Sequence, residues 1–142
     1  MGDAGFTLDE RLERSSYLIL RRGGIQIRLA DDSRFPWVLL IPEQAQASEL
    51  HDLDKELRRD IIDLATWRGK VMKGIFEADK VNLAAIGNLV PQLHVHVVAR
   101  RQDDDAWPAP IWGFGEPVPL TEQLRRARAE AIAAAMEQEL PT

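Results

Sequence analysis

VNLAAIGNLVPQLHVHVVAR, residues 81–100, carries two apolar alternations separated by a glycine, an asparagine and a proline. The pattern predicts two antiparallel strands, VNLAAIG (81–87) and QLHVHVVAR (92–100), joined by residues 88–91. Side chains on a strand alternate between its faces. Leu93, Val95 and Val97 are therefore expected in the core, and Gln92, His94 and His96 in a line on the other face. The chain has three histidines in all, the third being His51, so two of them one residue apart mark this strand as unusual.

Working outward, Thr7 is expected to cap a short helix that begins DERLERS. YLIL (17–20) and IQIRLA (25–30) predict a hairpin turned by Gly23-Gly24, with Ile25, Ile27 and Leu29 inward. WVLLI (37–41) reads as an apolar strand closed by Pro42. Ser48 is expected to start the main helix, with Glu49 in its first turn. Leu50, Leu53, Leu57, Ile61, Leu64, Val71 and Ile75 form its apolar stripe, running to about Glu77. A loop rich in proline and tryptophan follows the histidine strand, and Thr121 caps a final alanine-rich helix. Strands in mixed order with one long crossing helix predict an α+β domain with a mostly antiparallel sheet. Residues 1–142 read as a single domain with its core at about 17–113 and a C-terminal helical extension at about 120–140.

Composition bounds what such a domain can do. At 142 residues, 45% of them hydrophobic and 29% charged, the chain can bury a real core. A formal net charge of −5 argues against coating a nucleic-acid polymer, though not against a single nucleotide in a local pocket. The lack of cysteine excludes disulfides, thiolate nucleophiles and Cys-ligated metals. MGDAGFTLDE has neither the basic nor the apolar region of a signal peptide, and no apolar run reaches membrane length. A cytoplasmic protein without membrane partners is expected.

From the residues alone, the line Gln92, His94, His96 is open to three readings. It can be the solvated face of a sheet, a patch that meets a ligand, or a metal site. A metal would take its third ligand from His51 or from the run Asp103–Asp105, neither at a diagnostic spacing.

The same stretch resembles the histidine triad (HIT) superfamily, whose signature is His-φ-His-φ-His-φ-φ with φ apolar. Here it reads Gln92-Leu93-His94-Val95-His96-Val97-Val98, with Gln92 at the place of the first histidine. WVLLIP (37–42) is similar to the family's strand and proline before its long helix, and Trp107-Pro108 resembles the pair that follows the triad in the Hint branch. The resemblance implies a HIT-like fold and a nucleotide or nucleotide-conjugate substrate. It also implies a homodimer, no cofactor and no bound metal.

It further implies hydrolysis or nucleotidyl transfer at the α-phosphate, through a covalent nucleotidyl-histidine. His94 matches the nucleophile, oriented by the main-chain carbonyl of Gln92, and His96 matches the residue lying against phosphate and leaving group. Gln92 would hydrogen-bond a phosphate oxygen or a neighbouring backbone group. Asn88 and Asn82 match substrate-contacting residues, and Trp107 one that reaches into the partner's pocket. Phe35 or Trp37 would stack on a base or sit in the core. Leu89 departs from the hydroxyl residue found there in many members. The alternative reading is a nucleotide-binding or interaction module of this fold that is catalytically weak.

Overall fold

The computed structural model describes residues 5–137. A short helix, α1 (Glu10–Arg14), leads into a hairpin of β1 (Ser16–Arg22) and β2 (Ile25–Ala30). Gly23 and Gly24 turn it with φ of 58° and 77°. A two-residue turn with positive φ at both positions matches the twist of the strands it joins, and glycine takes it without strain. β3 (Trp37–Pro42) pairs with β2, and a 3-10 turn (Leu50–Asp52) precedes the long helix α2 (Lys55–Ile75). β4 (Lys80–Ala84), β5 (Val95–Arg100) and α3 (Glu122–Glu137) complete the described chain. The sheet has the order β1-β2-β3-β5-β4, every pairing antiparallel. This is the expected α+β architecture.

One face of the sheet is the apolar core. Ile25, Ile27 and Leu29 of β2, Val38 and Leu40 of β3, and Val95, Val97 and Ala99 of β5 meet Ile61, Leu64, Ala65 and Met72 of α2. Ile132 and Met136 of α3 close the same layer. The buried side of α2 differs from the expected stripe. Arg68, Gly69 and Met72 are buried, whereas Ile75 is exposed and Val71 only half-buried. Gly69 explains the rotation, because a Cβ there would stand 3.2 Å from Val81 Cγ1, so helix and sheet approach closely at this residue. Arg68 reaches over the helix to donate to the Ala135 carbonyl of α3.

Several boundaries move, and the strand expected at 81–87 spans Lys80–Ala84. The main helix begins at Lys55 rather than Ser48, because Asp54 is extended and its carboxylate caps the Leu57 amide at 2.8 Å. Asp52 accepts from the Ser48 and Glu49 amides and holds the preceding residues in a separate turn. The histidine strand begins at Val95 rather than Gln92, since β4 stops pairing at Ala84↔His96. Residues 85–94 are therefore a loop. At the N-terminus, Asp9 rather than Thr7 caps α1. Thr121 does cap α3, its hydroxyl accepting from the Leu124 amide, and the expected helix end near residue 140 lies outside the described residues.

The other face of the sheet is covered by chain segments rather than long helices. Phe35 and Val98 pack with Ala106 and Ile111 of the loop after β5, and Leu39 and Ile41 pack with Leu12, Phe6 and Leu8 of the N-terminal segment. Between these two clusters lies the site.

Candidate active site

A cavity of about 510 Å³ opens on this second face, a size that suits a small organic ligand. His94 and His96 form part of its floor with Trp37 and Leu39, and Asn88 and Leu89 come from the loop before β5. The walls include Leu12 and Ser15 at one side and Trp112 and Phe114 at the other.

The two imidazoles are 4.8 Å apart between ring centroids, nearly edge to face. Their hydrogen bonds make them opposites. His94 Nδ1 lies 2.7 Å from the Gln92 carbonyl oxygen, which can only accept. Nδ1 must therefore carry the proton, leaving a lone pair on Nε2. His96 Nδ1 instead receives the indole N–H of Trp37 at 3.0 Å, which can only donate. Its proton is thus on Nε2. One ring presents a base or nucleophile, and the other presents a hydrogen-bond donor.

Both rings are held neutral. Burial pushes the His94 pKa below the ordinary 6.5, against a smaller upward pull from the Gln92 carbonyl. Burial and then the neighbouring His94 push His96 down to about 3. An imidazolium at 96 would also turn a second N–H onto the Trp37 donor.

The carbonyl that orients His94 is itself anchored. It belongs to the same peptide unit as the Leu93 amide, which donates to the Ala47 carbonyl at 2.9 Å. The peptide plane is thereby pinned from both edges, independently of the residue 92 side chain. That side chain points elsewhere. Its carboxamide oxygen accepts from the Asp9 amide at 2.8 Å and its nitrogen donates to the Thr7 carbonyl at 2.9 Å. Of the two roles expected for it, the contact present is the one to backbone.

The remaining sequence candidates divide between the cavity and its supports. Asn88 lines the cavity. Asn82 is on the same sheet face, where its side-chain Oδ1 accepts from Arg100 at 2.9 Å. Arg100 also pairs with Asp104 and donates to the Ala109 carbonyl. Its guanidinium lies over the rings of Phe35 and Trp107. Asn82, Phe35 and Trp107 thus surround a buried cation that folds the loop after β5, beside the cavity rather than in its lining. Phe35 is core and Trp37 is in the site. His51 is exposed, with Asp52 as an ion-pair neighbour at 3.8 Å. Asp103 and Asp104 pair with Arg101 and Arg100. No group of three or more His, Cys, Asp or Glu placed to hold a metal occurs among the described residues.

Sequence reading missed the N-terminal wall and the Trp37–His96 bond, both of which join distant parts of the chain. It also missed Trp112, whose ring stands edge-on to His96 at 5.2 Å. The aromatic and glycine spacing of IWGFG (111–115) was the available signal, since Gly113 and Gly115 take positive φ to turn that wall.

The fold recurs in known structures. A histidine triad (HIT) protein from Sinorhizobium meliloti 1021 is 40% identical with a TM-score of 0.90, over 94% of this chain and 99% of that one. Histidine triad proteins from Marinobacter aquaeolei VT8 and Bradyrhizobium japonicum are each 34% identical, with TM-scores of 0.91 and 0.89. The first covers 96% of this chain and 98% of its own, the second 92% and 98%. No curated protein sequence matches the chain. The HIT domain profile matches residues 11–103, which include the hairpin, the long helix and both histidines. The chain is a member of the histidine triad family.

Proposed function

We propose that the protein is a nucleotide hydrolase or nucleotidyltransferase acting at an α-phosphate through His94. The observation that carries this reading is the 2.7 Å contact between His94 Nδ1 and the Gln92 carbonyl, which leaves the Nε2 lone pair available on a ring that lines the cavity. Nε2 attacks the α-phosphorus, the bond to the leaving group breaks with its electron pair, the leaving atom takes a proton from water, and a nucleotidyl-His94 forms. Water or another acceptor then displaces the histidine and regenerates it. This splits one displacement into two easier ones. His96 donates its Nε2 proton as a hydrogen bond to a phosphate oxygen or to the leaving atom, and stays neutral in doing so. Asn88 supplies a further polar contact from the loop. Asn82 and Trp107 serve the site through the loop held by Arg100.

The test is to quench the enzyme during turnover of a nucleoside phosphoramidate and weigh it intact. A mass gain of one nucleotidyl group on the peptide containing His94 is expected, and none with His94→Ala, which should keep its fold because the core lies on the opposite sheet face. Binding without any adduct or turnover would instead identify a nucleotide-binding module. We further propose a cytoplasmic, single-domain homodimer. β4 is an edge strand with Leu83 exposed on it, which suits pairing between copies. Sedimentation equilibrium at micromolar concentration should give the dimer mass, and monomer alone would remove that claim.

A further inference from the structure

We propose that Gln92 is a positioning residue that acts through the N-terminal segment, holding residues 7–11 in place so that Leu12 and Ser15 beyond them form one wall of the substrate cavity. The inference rests on the functional reading above for its kinetics alone. The carboxamide of Gln92 pairs with the Asp9 amide and the Thr7 carbonyl, as a neighbouring strand would. Those partners are a donor and an acceptor two residues apart, so the side chain must both accept and donate. A carboxamide does so, a carboxylate does not.

The contact is continued by charge. The Asp9 carboxylate accepts from the Arg11 backbone amide at 2.8 Å and from its guanidinium at 2.9 and 3.1 Å. Arg11 Nη1 then donates to the Leu89 carbonyl at 2.9 Å. Residues 7–11 thus fasten to both ends of the stretch Leu89–Gln92, which leads directly to His94. Just beyond them, Leu12 and Ser15 line the cavity, and Leu12, Phe6 and Leu8 pack on Leu39, Ile41 and Val90. The Gln92 carbonyl, by contrast, sits in a peptide unit anchored on Ala47. One residue therefore serves two separable tasks: its backbone orients the nucleophile, and its side chain sets the wall.

The experiment compares Gln92→Glu with wild type in the full-length protein. Glutamate keeps the size and one acceptor but places an oxygen against the Thr7 carbonyl. Amide hydrogen exchange should accelerate about ten-fold or more in residues 9–14 and stay unchanged in residues 95–100. With a nucleoside phosphoramidate, KM should rise about ten-fold while kcat stays within about two-fold. The defect should shrink as pH falls and the carboxyl group regains a proton to donate. Unchanged exchange in residues 9–14 would overturn the clamp, and a fall in kcat at constant KM would overturn the wall in favour of a direct chemical role. Should Gln92→Glu fail to fold, Gln92→Ala removes both bonds without adding charge and is judged by the same exchange and KM criteria. A wild type without turnover defeats the functional reading, and the exchange result alone then decides the clamp.

Discussion

The two faces of the sheet are built on different terms. On the helix-covered face, β2, β3 and β5 present aliphatic side chains to α2 and α3, and the contact is held by close packing. On the other face β2 and β5 present Gln26, Arg28, His96 and Arg100, all buried. Each needs a named partner. Arg28 donates to the Ser16 hydroxyl and carbonyl and to the Gln26 carboxamide. Gln26 donates to Glu43, and Arg100 pairs with Asp104. A buried polar group without a partner is expensive, so this face is specified by hydrogen bonds as well as by its two apolar clusters, and the other by volume. The chemistry sits where orientation is controlled, because a packed apolar layer cannot choose the tautomer of an imidazole.

That contrast can be broken from either side. On the packed face, Leu40→Ala should destabilise the fold by about 2–5 kcal/mol, because Leu40 is fully buried and the cavity left behind cannot collapse against a sheet. Urea denaturation checks this, and the surviving folded protein should retain its catalytic rate. On the hydrogen-bonded face, Trp37→Phe keeps an aromatic ring but deletes the donor to His96 Nδ1. The expected stability loss at neutral pH is only about 0.5–1.5 kcal/mol. Turnover should fall up to about ten-fold, since His96 is no longer confined to the tautomer that donates from Nε2.

The same substitution has a pH signature. His96 titrates near 3 in the fold, against 6.5 for an ordinary histidine. Between those values the unfolded chain binds a proton that the folded chain refuses, so stability is fully present above about 6.5 and is lost as pH falls toward 3. Removing the Trp37 donor lets Nδ1 accept a proton more readily, which raises the folded pKa and makes the acid loss shallower. Denaturation midpoints of wild type and Trp37→Phe should therefore converge between pH 7 and pH 4. Parallel curves would show that the indole has no hold on the His96 proton.

Much of this architecture was legible in the sequence, and for local reasons. Two-residue periodicity put Leu93, Val95 and Val97 in the core and His94 and His96 opposite them, even though the ladder itself begins only at Val95. Gly23-Gly24 announced the hairpin because few other residues take positive φ twice in succession. The helix stripe was less secure. Periodicity marks which residues are apolar, but Gly69 and Arg68 turned inward because the sheet approaches closely at one and α3 offers a carbonyl to the other.

By itself the sequence determined the alternation of the strands, the Thr121 cap of the last helix and the pair of histidines on one line, since each follows from residues a few positions apart. Only the tertiary structure decided what those histidines can do. Trp37 sets the proton on one ring from 59 residues away. Ala47 anchors the peptide that sets it on the other, and Thr7 and Asp9 occupy the Gln92 side chain from 85 and 83 residues away. A hydrogen bond between distant residues leaves no period in the chain, because its partners are neighbours only once the sheet, loop and N-terminal segment have folded together.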